Sequence, residues 1–265
     1  MSARHGLERL ARRAIYRFLP RGTDLFLDIA HHLPALTVDV VFDVGANTGQ
    51  SARAFLDWFP GSRVYCFEPV HDTFVRLSAR YRHESRVRAF PLALGARPGQ
   101  GTMVKAGTSE LFRLAEAAGP AAHPGGVPYL GDGARPGGAG QPVRADLLES
   151  VPVATVDGFC REHGLDRISY LKIDTEGADL DVLRGAEEML ADQRVALVQV
   201  EAGMNRGNDT HVPFEELKEF LEARGYLLFG VYEQVPEWPT GRPHLRRCNA
   251  VFLAESSSPT RSSSI

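Results

Sequence analysis

One stretch of the chain limits the fold more than any other: an apolar run that ends in an acid and two glycines. Residues 38–44 predict a buried parallel strand, with Asp43 near its end. Gly45 and Gly49 follow, and glycine allows both the dihedrals of a tight turn and the close approach of a ligand to bare amide groups. Residues 51–59 predict a helix whose free N-terminal amides point into the turn. The stretch therefore predicts a nucleotide-type cradle.

The next strand along the chain carries a second acid at its end. Residues 63–67 predict this strand, and Glu68 and Pro69 follow it. In doubly wound folds, an acid at this place accepts hydrogen bonds from the ribose hydroxyls of an adenosine. The glycines stand as Gly-x-x-x-Gly, which departs from the Gly-x-Gly-x-x-Gly pattern of dinucleotide-binding proteins.

Length and composition exclude several classes of protein. A chain of 265 residues suits one α/β domain with additions, and a net charge of −3 implies no general affinity for nucleic acid. The three cysteines stand singly, which argues against a zinc site or a disulfide framework and favours a reduced, cytoplasmic setting. We find no apolar run of membrane-spanning length and no secretory signal.

Residues 1–36 predict a helical extension before the main domain, which we place at 37–254. Apolar residues at helical spacing with interleaved arginines predict an amphipathic basic helix over 2–19. Three interpretations compete: a helix packed over the sheet as a lid, which we favour, a homodimer contact, and a helix on an anionic membrane surface. A second helix runs from Thr23 or Asp24 to His32.

The middle of the chain predicts the third strand and then a long irregular segment. A helix over 72–82 precedes a strand over 87–94, and the end of such a strand lies beside an adenine ring. Ala93 and Leu94 are therefore candidates for the cofactor wall or, equally, plain core residues. A short strand over 101–105 and a helix over 109–117 follow. The Gly- and Pro-rich residues 118–142 predict a flexible active-site flap.

The second half of the chain predicts further βα units that bring acids to the same edge of the sheet. One strand ends at Asp174, with Glu176 in the turn after it, and the next ends at Glu201. Asp157 is predicted to be a helix N-cap, and one helix passes through Leu183 and Met189. The remaining predictions are a strand over 151–156, helices over 158–163 and 213–224, strands over 226–232 and 248–253 with the last one antiparallel, and a disordered tail over 255–265.

With these stretches together, the sequence resembles the FkbM-type methyltransferases, a class I group that depends on S-adenosylmethionine (SAM). The resemblance implies a Rossmann-like, doubly wound α/β sheet of seven strands with the last strand antiparallel. It also implies methyl transfer, mainly to hydroxyl groups of sugars, glycolipids and secondary metabolites such as polyketides and glycosides. The matching segments are FDVGANTG at 42–49, FEP at 67–69, ATVD at 154–157, LKIDTEGA at 171–178 and VE at 200–201.

The same resemblance implies cofactor contacts for individual residues. Asp43 would meet the amino group of the methionine moiety, and Glu68, followed by Pro69, would hold the ribose. The methionine main chain would lie against the amides of the turn, which belong to Gly45, Ala46, Asn47, Thr48 and Gly49.

The acids at the reacting edge offer two ways of activating a hydroxyl acceptor. A neutral imidazole or a carboxylate with a raised pKa can act as general base, and the candidates are Asp174, Glu176, Glu201 and His211. Alternatively, Asp174 and Glu201 could hold a Mg²⁺ ion that lowers the pKa of the hydroxyl. Two other functions remain open: an NAD-dependent oxidoreductase, and a non-catalytic SAM-binding or membrane-associated protein.

Overall fold

A seven-stranded sheet forms the centre of the molecule. The computed structural model describes residues 19–105, 112–115, 148–205, 208, 210–237 and 241–257. The predicted basic helix before Leu19, the 118–142 loop and the tail after residue 257 lie outside these residues. The described strands are β1 (Val40–Val44), β2 (Arg63–Phe67), β3 (Val87–Phe90), β4 (Ala93–Leu94), β5 (Gly99–Lys105), β6 (Phe112–Ala115), β7 (Leu148–Ala154), β8 (Ile168–Ile173), β9 (Val195–Gly203), β10 (Tyr226–Glu237) and β11 (Arg242–Ala254).

The order of the strands confirms the predicted class I methyltransferase topology. The large sheet runs β10-β11-β9-β8-β1-β2-β3. Neighbouring strands from β9 to β3 are parallel, whereas β11 is antiparallel to both β9 and β10. The last strand of the chain is therefore inserted antiparallel between two others, as the sequence predicted. Because parallel strands share a direction, the turns after β1, β2, β8 and β9 meet at one edge of the sheet.

Helices cover both faces of this sheet. They are α1 (Leu25–His32), α2 (Gln50–Trp58), α3 (His71–Tyr81), α4 (Val156–His163), α5 (Asp179–Arg184), α6 (Glu187–Ala191) and α7 (Phe214–Glu222). Alternate residues of β1 point to opposite faces: Phe42 joins a core with α4 to α7, and Val41 joins a core with α1 to α3. Both are fully buried, which explains the continuous apolar run of this strand. None of the described helices is long and apolar enough to cross a membrane.

The N-terminal part of the described chain matches its prediction. The carboxylate of Asp24 accepts a hydrogen bond from the Leu27 amide and so caps α1. Asp28, one turn further, is buried and accepts a hydrogen bond from the Tyr232 hydroxyl at 2.9 Å. The Arg21 guanidinium donates to the carbonyl of Phe229 on the outer strand β10. These contacts attach α1 to the sheet.

The third strand and the segment after it differ from the prediction. β3 ends at Phe90, and Pro91, which has no amide hydrogen to donate, follows it. Ala93 and Leu94 then pair with β7 in a second, four-stranded sheet of order β4-β7-β5-β6. The predicted helix over 109–117 is wrong, because Phe112–Ala115 pairs with β5 as strand β6. Pairing with a neighbouring strand outweighs local helix propensity here.

Two corrections concern the helices after β7. The N-cap of α4 is Thr155, whose hydroxyl accepts from the Gly158 amide. Asp157 instead caps α6, because its carboxylate accepts from the amides of Glu188 and Met189. The helix predicted through Leu183 and Met189 is two helices that meet at Gly185, where a Cβ would lie 2.1 Å from the Gly95 carbonyl oxygen. At the start of the predicted tail, Glu255–Ser257 forms a 3-10 turn.

Candidate active site

A cavity of about 360 Å³ lies at the carboxyl ends of the parallel strands. Three parts of the fold form its wall. The first combines the glycine turn after β1 (residues 45–49), the turn after β2 and strand β4. The second combines the acid turn after β8 (residues 174–178) and the end of β9, and the third is the β10–β11 hairpin. Ten of the predicted site residues line it: Gly45, Ala46, Asn47, Glu68, Pro69, Ala93, Leu94, Asp174, Glu176 and Glu201. Most of the predicted cofactor residues and three of the predicted catalytic residues thus share one cavity.

The glycine turn after β1 is built by close backbone contacts. The amides of Gly45 and Ala46 both donate to the carbonyl of Phe67 at 3.1 Å, which links this turn to the end of β2. Gly45 has a φ of +76°, and a Cβ there would lie 1.9 Å from the carbonyl oxygen of Asp174. Only glycine fits this position. The glycine turn and the acid turn after β8 are therefore in direct backbone contact.

Glu68 lies beside the glycine turn. One carboxylate oxygen accepts from the Asn47 amide at 3.0 Å, and the other accepts from the Val70 amide at 2.9 Å. Burial raises the pKa of Glu68 to about 7, although the two amide hydrogen bonds oppose the shift. Each oxygen keeps a second lone pair. Glu68 is therefore held in place and can still accept hydrogen bonds from a pair of vicinal hydroxyls.

Thr48 and Gly49 support the turn without lining the cavity. The Arg80 guanidinium donates to the Thr48 carbonyl at 3.1 Å, and the Tyr81 hydroxyl donates to the Gly49 carbonyl at 2.6 Å. Gly49 has a φ of +84°, and a Cβ there would lie 2.4 Å from the Tyr81 ring. Helix α3 thus fixes the second half of the turn.

Asp43 is fully buried behind the cavity wall rather than at its surface. The Lys172 ammonium lies 3.5 Å from Asp43 and 2.9 Å from Asp174, and Lys172 itself lines the cavity. Burial raises the pKa of Asp43, and Lys172 opposes this shift. Burial alone would lower the pKa of Lys172, but the two carboxylates raise it above its ordinary value. Lys172 thus pairs with both carboxylates, and Asp43 acts on the cavity through Lys172.

The acid turn after β8 is strained and tightly anchored. Glu176 has a φ of +53°, and the next residue, Gly177, has a φ of +108°. A side chain at Gly177 would meet the Thr210 carbonyl at 2.8 Å. The buried carboxylate of Asp179 accepts from the Thr175 hydroxyl at 2.7 Å and from the Glu201 amide at 3.2 Å, and burial raises the pKa of Asp179 to about 6. These contacts hold the turn against β9.

Three of the four predicted catalytic residues form a cluster. Nε2 of His211 lies 2.7 Å from a carboxylate oxygen of Glu201 and 3.6 Å from one of Glu176. Burial, together with the nearby charge of Glu201, raises the pKa of Glu176 to about 7. His211 does not line the main cavity. It lies behind the two carboxylates, where it lines a smaller cavity of about 230 Å³.

The fourth predicted catalytic residue, Asp174, is engaged elsewhere. Its carboxylate pairs with Lys172, and this ion pair lowers the pKa of Asp174 although burial acts in the opposite direction. The predicted pairing of Asp174 with Glu201 as Mg²⁺ ligands is therefore not supported. The physical reason is that the Lys172 ammonium already neutralises the Asp174 carboxylate.

Sequence reasoning missed the wall that the β10–β11 hairpin contributes. Glu233, Arg247 and Asn249 line the cavity, and the Asn249 amide donates to Glu233 at 2.5 Å. Glu233 has a φ of +46° at an irregularity of the strand pairing. The Arg247 guanidinium contacts the Glu201 carboxylate. The available signal was Asn249, which is a polar residue within the apolar run over 248–254, with Arg247 directly before that run.

Comparison with known proteins identifies the family. Residues 43–228 match the methyltransferase FkbM domain. The chain belongs to the FkbM methyltransferase family. The match begins at Asp43 and spans both the glycine turn and the acid turn, so it covers the two parts of the fold that meet at the cavity. The resemblance seen in the sequence is confirmed.

Individual relatives of this FkbM-type methyltransferase carry methyltransferase names. It is 26% identical over 202 residues to the 2-O-methyltransferase NoeI of Sinorhizobium fredii, with 76% of this chain and 75% of NoeI covered. It is 24% identical to Methyltransferase 1 of Beauveria bassiana, with 81% and 82% covered. Among solved structures, the chain is similar to the fibrillarin of Aeropyrum pernix, which was solved with natively bound S-adenosyl-L-methionine. The match has a TM-score of 0.44 and 14% identity, and it covers 86% of this chain and 71% of the fibrillarin chain.

Membership in this family makes the chain a SAM-dependent methyltransferase, which decides against the NAD-dependent oxidoreductase. The residues present fit such a cofactor. Gly45, Ala46 and Asn47 line the cavity, and Glu68 offers free lone pairs at its wall. The amides of the turn already donate within the protein, so the turn meets a cofactor with its surface and not with the free amides that the sequence predicted. Lys172 and Asp174 add a charged pair that can accompany an amino acid moiety.

Proposed function

We propose that this FkbM-type methyltransferase transfers a methyl group from SAM to a hydroxyl group of a glycan, glycolipid or secondary metabolite. The observation that supports the proposal is that one cavity contains both the cofactor-fitting turn and the carboxylates Glu176 and Glu201. Glu68 lines the same cavity as the two carboxylates, so an acceptor bound at the carboxylates shares the cavity with the cofactor. Binding and activation of the acceptor therefore need no second site.

When bound, SAM supplies a methyl group that is already activated on a sulfonium. The chain has two remaining tasks, which are to position the acceptor oxygen and to help remove its proton. Glu68 and the turn at Gly45 hold the cofactor side. Glu176 and Glu201 attract the hydroxyl proton, and Arg247 fixes the Glu201 carboxylate in place.

The polar hairpin wall supports a hydroxyl-rich acceptor. Glu233 offers acceptors, Arg247 offers donors, and the Asn249 amide offers both. A sugar or glycoside presents several hydroxyls to such a surface. The name of the relative NoeI, a 2-O-methyltransferase, also supports transfer to oxygen.

The same proposal includes the class of acceptor, the location of the protein and its contacts with partners. The acceptor is a small molecule or glycan and not a nucleic acid, which the net charge of −3 supports. We place the protein in the cytoplasm, which its three free, buried cysteines support. We also propose a homodimer through the N-terminal helices and, as an alternative, a membrane contact through the basic helix, which lies outside the described residues.

The test is methyl transfer from isotope-labelled SAM to a panel of glycosides, hydroxylated polyketides, amines and carboxylic acids, with products identified by mass spectrometry and NMR. We expect methyl ethers from the hydroxyl compounds. We also expect Glu176→Gln to lose most of the activity while it still binds S-adenosylhomocysteine (SAH), whereas Glu188→Gln on the surface keeps both. Methylated amines or base-labile methyl esters as the main products would contradict transfer to hydroxyls.

A further inference from the structure

We infer that Glu176, Glu201 and His211 form a binding site for one divalent cation of the first transition row, such as Mn²⁺ or Zn²⁺. The site lies at the cavity wall, and its role in methyl transfer rests on the proposed function, whereas metal binding itself does not. One imidazole nitrogen and two carboxylate oxygens are a donor set that these ions accept.

Hydrogen bonds around His211 fix which ring nitrogen is available. The amide oxygen of Asn208 accepts from the amide and hydroxyl of Thr210 at 3.1 and 2.8 Å, and the amide nitrogen donates to the Arg246 carbonyl at 2.9 Å. These bonds set the orientation of the Asn208 side chain. Its oxygen faces Nδ1 of His211 at 3.0 Å, so Nδ1 must donate. Nε2 then carries the lone pair of the neutral ring, as in histidines that bind metals.

Nε2 of His211 is buried and has no hydrogen-bond partner among the described residues, although a Glu201 oxygen lies 2.7 Å away. This oxygen is close, but it does not lie along the direction of an Nε2–H bond. A proton on Nε2 would therefore not be shared in a good hydrogen bond, and a bare lone pair would repel both carboxylates. His211 is only 9% exposed, so water cannot readily relieve this contact. A cation bound between the three groups would remove the repulsion between the Nε2 lone pair and the carboxylates.

The distances suit a single ion. One ligand atom from each of the three residues lies within 4.8 Å of the other two. An ion with bonds of about 2.1 Å separates neighbouring ligand atoms by about 3 Å at right angles and by about 3.4 Å in a tetrahedron. The observed separations from Nε2, 2.7 and 3.6 Å, bracket these values.

The ligand side chains are also held in place before an ion binds. Glu176 adopts a left-handed conformation that non-glycine residues rarely adopt, and such strain is concentrated at functional sites. The second oxygen of Glu201 is occupied by the Arg247 guanidinium, which leaves the first oxygen to face His211. Because Glu176 and Glu201 line the cavity and His211 lies behind them, the open side of the ion would face the acceptor.

An ion at this place would lower the pKa of an acceptor hydroxyl that binds to it. Because Glu176 and Glu201 would then be ligands of the ion, the hydroxyl proton would leave to solvent and not to these carboxylates. The oxygen would form the new bond to the methyl carbon, and the carbon–sulfur bond would break to give a neutral thioether. Charge and atoms balance without a further reactant.

The direct test is titration of the full-length, chelator-treated protein with Mn²⁺, followed by electron paramagnetic resonance, with Zn²⁺ and Mg²⁺ as competitors. We expect one Mn²⁺ per chain in the wild type. Glu176→Gln and His211→Gln should each weaken binding by tenfold or more, and the surface variant Glu188→Gln should not. SAH calorimetry on each variant reports whether the fold and the cofactor site persist.

The outcomes separate the two proposals. No Mn²⁺ or Zn²⁺ binding up to millimolar concentration, or equal binding by Glu176→Gln with SAH binding intact, would overturn the metal site. The Nε2 position would then hold a proton instead. One bound ion that depends on Glu176 and His211, with no methyl transfer to any acceptor, would support the site and overturn the proposed function.

Discussion

Affinity for SAH is expected to depend on pH through Glu68. Burial raises the pKa of this carboxyl to about 7. The carboxylate fraction is therefore about 90% at pH 8 and about 10% at pH 6. Only the ionised form can accept hydrogen bonds from both ribose hydroxyls, because protonation turns one acceptor oxygen into a donor. Affinity should fall about tenfold from pH 8 to pH 6, which corresponds to about 1.4 kcal/mol.

Calorimetric titration with SAH at pH 6, 7 and 8 measures this directly. Asp43 and Glu149 lie near Glu68 and help to raise its pKa, and Glu176 also titrates near pH 7 in the same cavity. The matched variant Glu68→Gln separates these contributions, because it should bind SAH more weakly at pH 8 and show a much smaller change with pH. A wild-type dissociation constant that is equal at pH 6 and pH 8 would refute the reasoning. So would a Glu68→Gln variant that keeps the full tenfold change.

Two further predictions concern the scaffold of the site. Gly45→Ala should abolish SAH binding and destabilise the protein by about 2 kcal/mol or more, because its Cβ would overlap the Asp174 carbonyl in a strained conformation. Gly61→Ala, where a Cβ meets nothing within 4 Å, is the control, and equal SAH binding by both variants would contradict the prediction. Lys172→Met should lower the free energy of unfolding in urea by about 3–5 kcal/mol, because it leaves the fully buried Asp43 carboxylate without its counter-charge. Lys218→Met, in an exposed ion pair, should cost about 0.5 kcal/mol or less, and similar losses for both would argue against a buried ion pair.

The parts of the fold that local sequence determines were predictable. The apolar run of β1, the glycine turn and α2 follow one another along the chain, so their spacing alone indicates how they meet. The Asp24 cap of α1 is likewise a contact between near neighbours. Parallel βα units also bring strand ends to one edge, which is why Glu68, Glu176 and Glu201 were predicted to lie near each other.

The parts that depend on contacts between distant segments were not predictable. Ala93 and Leu94 line the cavity, but they do so from a second sheet, in which β4 pairs with β7. Asn249 reaches the wall because β11 pairs with β9 in a register that places it opposite Glu201. The position of His211 behind the carboxylates depends on a loop whose hydrogen bonds no local pattern encodes.

The contact between the glycine turn and the acid turn has a consequence for how the protein matures. β1 lies between β2, its near neighbour along the chain, and β8, whose Ser169 side chain bonds the Val40 amide 129 residues away. Until β8 has been synthesised, one edge of β1 has no strand beside it, and the Asp174 carbonyl that packs on Gly45 does not exist. Joining segments so far apart is slow, because the chain must close a long loop before any contact compensates for the lost entropy. A nascent chain that ends before β8 therefore exposes an apolar strand edge and has no complete cofactor cradle.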